Sequence, residues 1–108
     1  MSVAAGNVVV APNVLVRLVS MAIHEVPGVA RLGSAPRARG GTSGAGVLTQ
    51  ISADGVGIDC YLIAQADTNL LELGVAIQAT VAAVIQDLAG MTVREVNVYI
   101  QDVEASNG

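Results

Sequence analysis

Few side chains in this sequence are equipped for chemistry, and most of those stand alone. His24 is the single histidine, with Glu25 beside it, and Cys60 is the single cysteine, with Asp59 beside it. A metal site needs several ligands that converge, and the chain offers only scattered carboxylates around one imidazole and one thiol. A reactive cysteine needs exposure and a lowered pKa, but Cys60 lies in the apolar register of Val56, Ile58, Leu62 and Ala64. A free thiol so placed packs as a small hydrophobe. Ser20, His24 and Asp67 are the residues available for a nucleophilic triad, and nothing in their spacing groups them. The expectation is no catalytic residue, no metal site and no cofactor.

Phosphate binding is the other chemistry to consider. The stretch GSAPRARGGTSGAG, residues 33–46, has five glycines, two arginines and no acid. A phosphate-cradling loop of the Walker type ends in Gly-Lys-Ser/Thr, and the chain has no lysine. A dinucleotide fingerprint needs three spaced glycines between a strand and a helix. Gly44-Ala45-Gly46 leads instead into Val47-Leu48-Thr49, which reads as a strand, and Gly55-Val56-Gly57 has Cys60 in the third position. Without a helix N-terminus to receive an anion, the stretch reads as a mobile connector of Gly, Ser, Ala and Thr. Its charge remains notable. Residues 31–46 hold Arg31, Arg37 and Arg39 without an acid, while the rest of the chain sets Arg17 and Arg94 against nine acids. A basic arm on an acidic body can reach the acidic surface of a second copy.

The elements that position these residues follow from periodicity. Asn7 to Ala11 is a β-branched run that reads as a strand. Pro12 then suits a first helical turn, and Leu15, Leu18, Val19, Ala22, Ile23 and Val26 recur at spacings of three and four. Asn13, Arg17, Ser20 and His24 fall on the opposite side, and Pro27-Gly28 ends the helix. Two strands follow the glycine-rich stretch, joined at Asp54-Gly55. Asn69, with Glu72 three residues on, starts a second helix; its stripe is Leu70, Leu73, Ile77, Val81, Val84, Ile85 and Leu88, and Gly90 ends it. Val93 to Val103 alternates as a last strand.

The order β-α-β-β-α-β predicts one α+β domain over residues 1–108, a two-layer sandwich with both helices on one face of a four-stranded sheet. Residues 104–108 would form a short flexible tail. Asp59, Tyr61, Ile63, Asn97, Tyr99 and Gln101 would line the other, open face. Val14 and Met21 on the first helix, and Val75, Ala79 and Ala82 on the second, exceed what one sheet face requires. Surplus apolar surface of this kind marks an interface. The candidate interaction residues are therefore Arg31, Arg37, Arg39, Asp59, Tyr61 and Tyr99.

Bulk properties bound the function. At 108 residues, 53% of them apolar, with a mean hydropathy of +0.62, the chain can bury one core and is not a disordered tail. The net charge of −4 argues against general nucleic-acid binding. A lone cysteine fits a reducing compartment, and MSVAAGNVVVAPN lacks the basic region of a secretory signal. Leu73 to Gln86 is too short to span a bilayer and is interrupted by Gln78. The reading is a cytoplasmic protein.

Three segments carry a family likeness: EVPGVARL at 25–32, VGIDCYLIA at 56–64, and NLLELGVAIQATVAAVIQDLAGMTVREVNVYIQDV at 69–103. They resemble the alkaline shock protein family of bacterial envelope stress-response proteins, whose pattern closes on V-x-EVNV-x-V. The chain departs from that pattern at Ala66-Asp67, where many members carry Tyr-Gly. The resemblance implies a small non-enzymatic scaffold that self-associates into a homo-oligomer. In some members it implies recruitment beneath the membrane by a separate membrane-anchored partner protein. The alternative is a ligand- or nucleic-acid-binding regulatory module of ferredoxin-like topology, with Tyr61 and Tyr99 as stacking platforms.

Overall fold

A computed structural model describes residues 6–37 and 39–105. The order is α1 (Pro12–His24), β1 (Val29–Leu32), β2 (Thr42–Gly44), β3 (Val47–Ser52), β4 (Gly55–Gln65), α2 (Leu70–Ala83) with a π-helical turn at Val84–Leu88, and β5 (Val93–Glu104). The α+β class and the two helices match the expectation. The sheet has five strands, however, and their order differs from β-α-β-β-α-β.

β4 is the hub of the sheet. β5 runs parallel along one side of it, from Val56 opposite Val93 to Gln65 opposite Glu104. α2 supplies the crossover that a parallel neighbour demands. β3 and β1 share the other side: β3 pairs antiparallel with Gly55–Cys60 and β1 antiparallel with Leu62–Ala64. They meet at Tyr61, whose N–H donates to the Gly46 carbonyl and whose carbonyl accepts from Gly33 N–H, each at 2.7 Å. β2 hydrogen-bonds to β3 in a hairpin, Thr42 opposite Thr49 and Gly44 opposite Val47.

Both helices pack on one face of this sheet. Val56, Ile58, Cys60, Leu62 and Ala64 are fully buried beneath Leu15, Val19 and Ile23 of α1 and Ile77 and Val81 of α2. Pro12 opens α1, with Leu15 N–H bonded to the Ala11 carbonyl. Asn69 caps α2 through a 3.0 Å hydrogen bond accepted from Glu72 N–H. The continuous helix Leu70–Leu88 has the length and composition of a membrane span, longer than the stretch read from sequence. Leu73, Ile77, Val81 and Ile85 of it are core residues, so one side of this helix is packed into the domain.

Four local expectations are corrected. Asn7–Ala11 is not a strand: it pairs with nothing described, and Val8 and Val9 are 94% and 85% exposed. Ser20 is buried, because its hydroxyl donates to the Ala45 carbonyl at 2.7 Å. The β3–β4 turn is Ala53-Asp54, with Ser52 paired to Gly55. Glu104 belongs to β5, and the rest of the expected tail, beyond residue 105, lies outside the described residues.

Candidate functional site

The sheet face away from the helices carries the polar side chains that sequence alternation assigned to it. β4 and β5 are parallel and in register here, so equivalent residues stand side by side. Tyr61 lies opposite Tyr99 and Asp59 opposite Asn97. The two tyrosine rings stack with centroids 4.8 Å apart and planes 10° from parallel, which is the spacing of neighbouring strands. Asn97 Nδ2 donates to Asp59 Oδ1 at 3.0 Å. Burial, with the nearby Asp59 carboxylate second, raises the Tyr61 phenol above its ordinary value.

This face is narrower than the alternation suggests. Leu48, paired with Asp59, and Ile63, between Arg31 and Asp102, are both buried. The glycine-rich stretch accounts for part of this cover, since a Cβ at Gly41 would stand 3.0 Å from Leu48 Cδ1. Its two ends are structural. β2 forms inside it, Gly33 and Gly46 bond to Tyr61, and Ser34 exchanges two hydrogen bonds with the Gln101 side chain at 3.0 and 3.1 Å. Gly33 approaches so closely that a side chain there would collide with Gln101. Gly46 adopts a φ of +67°, and a Cβ would sit 2.7 Å from the Tyr61 carbonyl oxygen. The glycines therefore let a chain segment cross a sheet edge at close range. β3, not a helix, follows them.

The three candidate arginines separate. Arg31 Nε bonds Glu104 Oε2 at 3.1 Å on the exposed surface, so it belongs to the sheet rather than to an arm. Arg37 and Arg39 are exposed and flank residue 38, which lies outside the described residues. Sequence reasoning missed Ser34 and Gln101 as a pair, because only the β5 bulge between Ile100 and Asp102 brings them together. It also missed Leu71, which is 79% exposed and, with Val75, leaves a side of α2 apolar and bare.

Conventional chemistry finds little foothold. Cys60 is fully buried, and burial pushes its thiol up to about 12, the Asp59 carboxylate adding to the effect; a thiol so held is a poor nucleophile. Among the described residues, no three His, Cys, Asp or Glu side chains converge as metal ligands. A groove of about 310 Å³ runs between α1 and β2, lined by Asn13, Val16, Arg17, Ser20, Met21 and Ser43 among others. It is mostly apolar, and the Ser20 hydroxyl at its base is already hydrogen-bonded.

Comparison with known proteins gives three findings. No solved structure matches the chain. An uncharacterised Bacillus subtilis (strain 168) protein, YqhY, is 24% identical over 105 residues, covering 92% of this chain and 78% of that protein. The model of the alkaline shock protein 23 family, described as having a cell envelope-related function, matches residues 1–105. The match spans the α1 terminus, the β4 hub and the α2–β5 crossover alike, and the chain belongs to this family.

Proposed function

We propose that this protein is a non-enzymatic, self-associating scaffold of the envelope stress response, acting near the inner face of the cell membrane through protein partners. The observation that carries this reading is the exposed apolar side of α2. Apolar helix surface is normally enclosed, yet Leu71 and Val75 on one side of α2 are 79% and 56% exposed, and Leu88 in the π-helical turn is 67% exposed. Surface of this kind is stabilised by covering it with another protein. Family membership supplies the cell envelope as the setting. The nucleic-acid alternative is weakened by the same geometry that made it attractive: the Tyr61 and Tyr99 rings stack on each other, beside Asp59.

Light scattering over a concentration series tests self-association, and a monomer at every concentration would remove the reading. The arginines of the glycine-rich stretch make the electrostatic part specific. Arg37→Glu with Arg39→Glu should leave stability within about 0.5 kcal/mol, as exposed side chains do. The same change should weaken assembly, and salt should weaken the wild type in parallel. Equal assembly of both proteins at low salt would reduce the stretch to its structural role. Recruitment is tested with washed membranes: binding should disappear after the membranes are treated with protease and be absent from protein-free liposomes.

A further inference from the structure

Tyr61 and Tyr99 are the chain's only tyrosines, and it has no tryptophan or phenylalanine. An oxidant that removes one electron from a phenol therefore has these two rings to act on. The thiol that would compete is withheld, because Cys60 is fully buried and held protonated, which is its unreactive form. Tyr99 is 45% exposed and Tyr61 is half-buried, so both rings can be reached from solvent. β4 and β5 run parallel and in register where the tyrosines stand, so both side chains leave the sheet in the same direction. Their planes are 10° from parallel and their centroids 4.8 Å apart, which brings the phenol end of one ring beside the phenol end of the other. Asp59, two residues back along β4 on the same face, adds a negative charge next to the pair. Such a charge favours the loss of an electron from a neighbouring ring.

We propose that Tyr61 and Tyr99 form an oxidative modification site, at which a one-electron oxidant converts the stacked pair into an intramolecular dityrosine. Each phenol gives up one electron to the oxidant and its hydroxyl proton to water, which leaves two tyrosyl radicals. The radicals couple through one carbon ortho to each oxygen, and a carbon–carbon bond forms between the rings. The hydrogen on each joined carbon then moves to its own oxygen and restores both phenols. The protein has lost two electrons and two protons, and the oxidant has been reduced by two electrons. Radicals already held in contact couple with each other before either meets a second molecule. The new bond ties β5 to β4 and closes the intervening chain, α2 included, into a covalent loop. A cross-link of this kind restrains the unfolded chain.

The test uses photo-excited tris(bipyridine)ruthenium with persulfate, which takes up two electrons as it becomes two sulfates. Dilute wild-type protein should yield a product that runs as a monomer on a denaturing gel and has a mass lower by two hydrogens. Trypsin cuts after Arg39 and Arg94 and so leaves Tyr61 and Tyr99 in separate peptides. After oxidation the two peptides should appear as one linked species in the mass spectrum. Tyr61→Phe and Tyr99→Phe, each of which keeps a ring in the stack, should lose that species. Unfolding in urea before oxidation should lower its yield about tenfold, because the rings then meet only by random closure of the chain between them. Further dilution of the folded protein should leave the yield unchanged. The site is overturned if folded wild type gives no linked peptide, if urea leaves the yield unaltered, or if the tyrosines couple only in covalent dimers.

Discussion

At the scale of single residues, the departure from the family pattern has a physical meaning. Asp67 stands where many members carry the glycine of Tyr-Gly, and it is the only non-glycine residue among those described with a positive φ, +67°. The turn from β4 into α2 is left-handed at this residue, and aspartate accepts there a conformation that suits glycine better. Asp67→Gly is therefore expected to stabilise the fold by about 0.5–1 kcal/mol, measured by chemical denaturation; a loss would mean that the carboxylate holds the turn. The sequence shows the departure, but only the backbone shows why it is tolerated. Cys60 yields the second prediction. Its thiol is raised from an ordinary 9.0 to about 12 in the folded protein, mainly by burial. A raised acid favours the neutral form, so its contribution to stability is complete below pH 9 and is lost as pH rises towards 12. That loss amounts to about 4 kcal/mol at most, at 1.36 kcal/mol per pH unit. Stability of Cys60→Val should fall less steeply over this window, with the remaining slope owed in part to Tyr61, whose phenol is raised too. An unchanged slope would show that Cys60 does not remain buried at alkaline pH.

Elements were legible where their signal was local and long. The helical spacing of Leu15, Val19 and Ile23, the Asn69 cap and the alternation of β4 all appear in the fold as the sequence wrote them. NVVVA failed for the opposite reason. Strand propensity measures fit to a pleated, half-buried surface, and the described fold offers Val8 and Val9 none. β2, Thr42–Gly44, has no apolar alternation and exists only because β3 lies beside it; no local signal could reveal it. β1 is four residues long and gained its place from pairing with the distant Leu62–Ala64 segment. α2 contains one local inconsistency that can be tested. Gly74 lies mid-helix with nothing within 4 Å of where a Cβ would stand. Gly74→Ala should stabilise the domain by about 0.5–1 kcal/mol from helix propensity alone, read as a higher melting temperature. Destabilisation would mean that another chain packs closely there.

At the scale of the whole molecule, sequence reading reached the two layers and the shared helical face but not the strand order. Order depends on long-range pairing: Val56 finds Val93 only after α2 has crossed the sheet. The candidate surface was half legible for the same reason. Alternation placed Asp59, Tyr61 and Tyr99 on one face, while their side-by-side pairing required the parallel register of β4 and β5. That register has an optical consequence. The chain has two tyrosines, no tryptophan and no phenylalanine, so its whole near-ultraviolet aromatic signal comes from two rings stacked across the junction of β4 and β5. Near-ultraviolet circular dichroism thus reports this single contact, while the far-ultraviolet signal reports all helices and strands. In a two-state domain the two melting curves coincide. An earlier near-ultraviolet transition would show β5 peeling away while the helices persist, which gives the protein a built-in gauge of its own edge strand.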